Sequence, residues 1–130
     1  MSNYPIQKTE AQWREQLGEA HYKILREKGT ERPFTGSYNL TFEDGTYCCM
    51  GCKNKLFESA SKFDSGCGWP SFDQSIAGSV TFIKDTTLGM ERTEIVCSNC
   101  GGHLGHVFDD GPTSTGQRYC VNSLSVDFEK

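Results

Sequence analysis

The sequence predicts a mainly β fold of the α+β class, with short N-terminal helices, antiparallel strands and a four-cysteine zinc site that staples them. Three observations predict it. Helical periodicity is confined to residues 9–29. Short β-like runs then recur between clusters of Gly, Asp, Asn and Ser. Two Cys-x-x-Cys pairs, Cys49/Cys52 and Cys97/Cys100, lie within that β-like region.

The helical segment comes first. Thr9 and Gln12 form a capping-box pattern, and Ala11, Trp13, Leu17, Ala20, Ile24 and Leu25 make a rough apolar stripe. Gly18 is a candidate break into two helices, Gly29 a candidate stop, and Pro33 lies beyond the end. The expected strands are GTYCC (45–49), SVTFIKD (79–85), RTEIVC (92–97), HVFDD (106–110), QRYCVNS (117–123) and LSVDF (124–128). GPTSTG (111–116) reads as a turn-rich loop before the Cys120 strand. The expected organisation is one domain over residues 1–130, with a helical arm of about residues 1–33 packed on the β body.

Composition narrows the function classes. The net charge is −4 and no Lys/Arg cluster stands out, which argues against a nucleic-acid surface. The longest apolar runs are only a few residues, too short for a membrane-spanning helix. MSNYPIQKTE has no basic segment followed by an apolar one, so the expected location is cytoplasmic. Thiols are reduced there, and cysteines read first as metal ligands or reactive groups. A monomer is the default expectation.

The count of seven cysteines is odd. Each Cys-x-x-Cys pair on a tight turn points two sulfurs at one spot, and two such turns complete a tetrahedron around Zn²⁺. Gly51 and Gly101 suit those turns. Four thiolates leave no open position for a catalytic water, so the metal is structural. His103 is an alternative fourth ligand, and iron an alternative metal. A thioredoxin-like redox pair lacks its βαβ setting, and haem attachment lacks its Cys-x-x-Cys-His.

Cys48, Cys67 and Cys120 remain. Cys48, beside a ligand, points to the opposite face of an extended segment and reads as a small buried apolar residue. Cys67 lies between Gly66 and Gly68, a setting for a thiol that moves to a partner. Cys120 shares a strand face with Arg118 and Asn122. The guanidinium favours the nucleophilic thiolate, and the amide can donate to a developing oxyanion. His103 and His106, in the glycine-flanked HLGH, read as a bent loop whose imidazoles could deliver a proton. His21 reads as a surface or core-edge residue of the helix.

SGCGWPSF, the paired Cys-x-x-Cys units with CGGHLGHVF, and RYCVNS together resemble the B-type methionine sulfoxide reductases, from about Tyr22 to Phe128. The resemblance implies a fold of two small antiparallel sheets with short N-terminal helices. It implies Cys120 as nucleophile, Cys67 as resolving cysteine, and Cys49, Cys52, Cys97 and Cys100 as zinc ligands. Trp69, His103, His106, Phe108, Arg118 and Asn122 match positions lining that family's substrate pocket. The implied reaction reduces methionine-R-sulfoxide through a Cys120 sulfenic acid and a Cys67–Cys120 disulfide, which thioredoxin then reduces. Two other readings compete: a zinc-knuckle binding module without catalysis, and a redox switch that uses the Cys67/Cys120 pair without substrate.

Overall fold

The computed structural model describes residues 5–6, 8–30, 32, 36, 38, 43–64, 68–86 and 91–129. Pro33, Gly66 and Cys67, singled out above, lie outside the described residues.

The chain opens with helices α1 (Glu10–Leu17) and α2 (Glu19–Arg26), separated at Gly18 as the sequence suggests. The capping box forms in full: Gln12 N donates to Thr9 Oγ1, and Thr9 N donates to Gln12 Oε1. The expected stripe is partly wrong. Ala11 and Ala20 are exposed, whereas Trp13, Tyr22, Ile24 and Leu25 are buried. Splitting the helix at Gly18 resets the phase, so one stripe cannot run through both pieces. The helix also stops before Gly29. Lys28, with φ 57°, takes the left-handed position there.

Among the described residues nine strands follow: β1 (Thr46–Cys49), β2 (Lys55–Glu58), β3 (Lys62–Phe63), β4 (Ser71–Phe72), β5 (Val80–Asp85), β6 (Arg92–Cys97), β7 (His103–Phe108), β8 (Arg118–Val121) and β9 (Val126–Glu129). They form two antiparallel sheets, ordered β2-β1-β9 and β3-β4-β8-β7-β6-β5. The mainly β class with two antiparallel sheets is therefore as expected. β2, β3 and β4 gave no strong sequence signal, and two of them are only two residues long. Leu124 and Ser125, expected in the last strand, instead belong to a 3-10 turn, Ser123–Ser125.

The core is aromatic. Phe57 of β2 stacks on Phe72 of β4 with ring centroids 4.3 Å apart, and Tyr47 of β1 meets Phe72 edge-on at 5.1 Å. These contacts join the two sheets. Each such ring removed from water contributes roughly 1.5–3 kcal/mol. Trp13, Tyr22 and Leu25 of the helices enter the same apolar cluster. Among the described residues, no helix is long and apolar enough to cross a membrane.

Candidate active site and metal centre

The two Cys-x-x-Cys turns are hairpin connections, one in each sheet. Cys49 ends β1 and its turn leads into β2; Cys97 ends β6 and its turn leads into β7. Both turns carry the same hydrogen bonds. Cys49 N donates to Asn54 O and Lys53 N to Cys49 O; likewise Cys97 N donates to Gly102 O and Gly101 N to Cys97 O. Each turn needs a left-handed residue just after its second cysteine. Gly101 supplies it at φ 76° and Lys53 at φ 67°. Gly51, expected to relax the first turn, instead lets Trp13 pack close, since a Cβ there would lie 3.1 Å from Trp13 Cζ3.

The four sulfurs lie within 4.8 Å of one another. Cys49 and Cys100 approach to 3.7 Å, and Cys52 and Cys97 to 3.5 Å. A tetrahedral ion at ~2.3 Å from each sulfur requires edges of about 3.8 Å, so this set fits a closed metal site. Asn99 N and Asn54 Nδ2 both donate to Cys97 Sγ, an outer layer suited to a thiolate. His103, weighed as a substitute ligand, does not join the cluster; its ring turns to Glu94. Gln16 Nε2 donates to Gly51 O, and Arg26 Nη1 to Cys100 O, so α1 and α2 each tie down one turn.

Cys120, Arg118, His103 and His106 gather on one face of the larger sheet. Register places Ser71, Cys120, His106 and Glu94 side by side across β4, β8, β7 and β6. Phe108 stands opposite Arg118 in the adjacent row of that face. The HLGH segment is strand, not the bent loop expected. It does bend, because Gly105 pairs with Ile95 while His103 pairs with Val96, leaving Leu104 as an extra residue. Three residues apart on a regular strand, His103 and His106 would face opposite ways. The bulge restores both to one face, with ring centroids 5.7 Å apart.

A cavity of about 280 Å³ opens over this face. Cys120, His103, His106 and Arg118 border it, with Trp69 and Phe108 as aromatic walls. Asn122 borders it too, just beyond β8. Its amide was expected to offer a hydrogen bond to substrate, but Nδ2 already donates to Leu104 O and Gly29 O. Its visible work is to tie the loop after α2 to β7. Sequence reasoning missed Thr30 and Arg92, which also line the cavity. It missed Glu94 and Asp85 as well, which hold the two histidines.

Cys120 is 9% exposed, and Arg118 Nη1 donates to its Sγ at 2.7 Å. A cation in contact with sulfur favours the thiolate. Arg118 is itself held by Asp110, which accepts from Nε at 2.8 Å and Nη2 at 3.0 Å. This arginine keeps the Asp110 carboxyl below its ordinary value. The guanidinium also lies over Phe108, 4.6 Å from the ring centroid. His106 Nε2 is 2.8 Å from Asp85 Oδ2. Burial pushes this imidazole below its ordinary value; Asp85 opposes that, and the Arg92 charge adds to it. Burial works against ionised Glu94, but His103 and Lys28 outweigh it and hold the carboxyl below its ordinary value.

Cys48 takes no part in either site. It is fully buried in β1, donates to Glu129 Oε2 at 3.6 Å, and burial with nearby Glu129 pushes its thiol up to about 11. That is the small buried residue the sequence suggests. His21 sits at the core edge, its Nδ1 2.9 Å from Leu124 O.

Residues 17–130 match the SelR domain. A Variovorax paradoxus protein described as peptide methionine sulfoxide reductase MsrB is 56% identical over 132 residues, covering 97% of each chain. A protein of the same description from Agrobacterium fabrum is 58% identical over 125 residues, covering 95% of this chain and 93% of its own. Another from Saccharophagus degradans is 58% identical over 124 residues, covering 95% and 92%. With its cysteine turns, its histidine strand and its cavity over Cys120, this chain belongs to the SelR-domain family, the B-type methionine sulfoxide reductases.

Proposed function

We infer that this chain reduces methionine-R-sulfoxide in proteins back to methionine, as a repair enzyme. The observation that carries the reading is the contact between Arg118 Nη1 and Cys120 Sγ at the floor of a partly aromatic cavity. Methionine sulfoxide has a polar S=O, a methyl group and an aliphatic stem. Trp69 packs the methyl while polar groups on the histidine side hold the oxygen. Exchanging methyl and oxygen would press the oxygen against indole without a partner, at a cost of roughly 1–3 kcal/mol. Chirality at sulfur is read by that difference.

In our mechanism the Cys120 thiolate attacks the sulfoxide sulfur. His106, directly across the ladder from Cys120, protonates the departing oxygen. The sulfoxide sulfur gains two electrons and leaves as methionine; Cys120 loses two and becomes the sulfenic acid. Cys67 then condenses with it, releasing water and forming the Cys67–Cys120 disulfide. Thioredoxin reduces that disulfide by thiol exchange. Cys49, Cys52, Cys97 and Cys100 would hold zinc, which would staple the β1–β2 and β6–β7 turns. Since the β6–β7 turn runs directly into His103, such a staple would also support that strand. We read residues 1–130 as one cytoplasmic, monomeric reductase domain; the shared core of Trp13, Tyr22 and Leu25 with the strands supports counting the arm as part of it.

The test is a stereospecific one. The protein is incubated with separated R and S sulfoxides and dithiothreitol, and Cys67→Ser with thioredoxin. Methionine should come from the R form only. Cys67→Ser should release one equivalent and then stall. Release from neither form, with reversible oxidation of the protein, would favour the redox switch and overturn the enzyme reading.

A further inference from the structure

Beneath the cavity lies an ion pair that the mechanism above leaves unused. Glu94 of β6 is 2% exposed and His103 of β7 is 3% exposed. Glu94 Oε2 lies 2.7 Å from His103 Nδ1, and Lys28 Nζ donates to Glu94 Oε1 at 3.2 Å. A buried carboxylate is costly unless it is paired and hydrogen-bonded, and this one is paired on both oxygens. Lys28 reaches it from a left-handed backbone position, φ 57°, which a lysine rarely adopts. The next two residues are also part of the site: Gly29 O accepts from Asn122 Nδ2, and Thr30 borders the cavity.

The chemistry of the pair fixes a tautomer. His103 and Lys28 keep Glu94 ionised despite burial. An ionised carboxylate only accepts hydrogen bonds, so the hydrogen between Oε2 and Nδ1 belongs to His103. That leaves Nε2, the ring nitrogen not bonded to Glu94, as the acceptor of a residue that borders the cavity. His106 is arranged the other way round, with Nε2 engaged by Asp85 at 2.8 Å.

We propose that Glu94 is a positioning residue for the reduction: with Lys28 bracing its other oxygen, it locks His103 as the Nδ1–H form and presents the Nε2 lone pair to the hydroxyl formed as the sulfoxide oxygen is protonated. The proposal rests on the reductase reading. As the S–O bond breaks, the electron pair moves to the methionine sulfur, and the oxygen takes one proton on its way to Cys120. His106 delivers that proton, and the His103 Nε2 lone pair accepts a hydrogen bond from the resulting hydroxyl as it passes to Cys120. The helical arm thereby contributes to catalysis through Lys28.

The test uses full-length, metal-loaded protein. Ring ¹⁵N shifts report the His103 tautomer, and single-turnover methionine release from the R sulfoxide reports the chemistry. The native protein should show Nδ1–H. Glu94→Gln, which can donate to Nδ1, should shift His103 toward Nε2–H. It should slow release about 10–100-fold, as loss of an orienting partner does, with little change in half-saturating substrate. Lys28→Met should slow release less, in the same direction. Native His103 found as Nε2–H would overturn the proposal, even if Glu94→Gln fails to fold. So would a folded Glu94→Gln that releases methionine within about twofold of the native rate. An inactive native protein with His103 as Nδ1–H would instead sink the reductase reading and with it the catalytic role of Glu94, leaving only the tautomer lock.

Discussion

Gly105→Ala tests whether the bulged strand and the cysteine strand are packed as closely as the site requires. A Cβ at Gly105 would lie 1.9 Å from the Cys120 carbonyl oxygen and 3.2 Å from Val121 Cα. An ordinary carbon–oxygen contact is about 3.3 Å, so β7 and β8 would have to separate by roughly 1.4 Å. The atoms met are backbone, and no rotamer change relieves them. Overpacking costs about 1–3 kcal/mol. Stretching two ladder hydrogen bonds adds about 1 kcal/mol each. The sum, about 3–5 kcal/mol, is a large share of the ~5–15 kcal/mol that holds a domain together. At roughly 4 °C per kcal/mol for a chain of this size, Tm should fall by about 10–20 °C. Because the displaced residue is Cys120, methionine release should also slow at temperatures where the variant is still folded. The assays are a circular-dichroism melt and single-turnover release at about 25 °C. A Tm within about 3 °C of native, together with native release, would refute the close approach.

Two further outcomes follow from the metal turns and from His106. Cys97→Ser should lose metal, measured by elemental analysis, and melt earlier because the two hairpin turns are no longer joined; a folded, active, metal-free variant would count against the staple. His106 is held below its ordinary 6.5 in the folded chain, so below that pH the unfolded chain binds more protons and stability falls as pH drops toward the folded value. Denaturant unfolding between about pH 7 and 5 should show His106→Asn losing less stability over that window than the native protein; parallel curves would remove His106 as a source of the dependence.

Part of this protein is legible in the one-dimensional chain because it depends on short spacing. The capping box at Thr9 and Gln12, the break at Gly18 and the two Cys-x-x-Cys turns each lie within a few residues, and each is found as expected. Arg118 and Cys120 are also local, two positions apart on β8, and alternation alone puts them on one face. The short strands β2, β3 and β4 are not legible, since a two- or four-residue run shows no period and is held in place by its neighbours.

The composition of the cavity floor is a different matter. Sequence alone pointed to the candidate metal ligands, the candidate nucleophile and its arginine, because sulfur chemistry and strand alternation leave few other readings. Only the tertiary structure decided that Leu104 is the extra residue that turns His103 to the side of His106. Only it decided that Glu94 and Lys28, 66 positions apart, meet beneath the cavity. A bulge is a property of two paired strands, and a buried ion pair is a property of the low-polarity space that encloses it; neither exists until the sheet has closed.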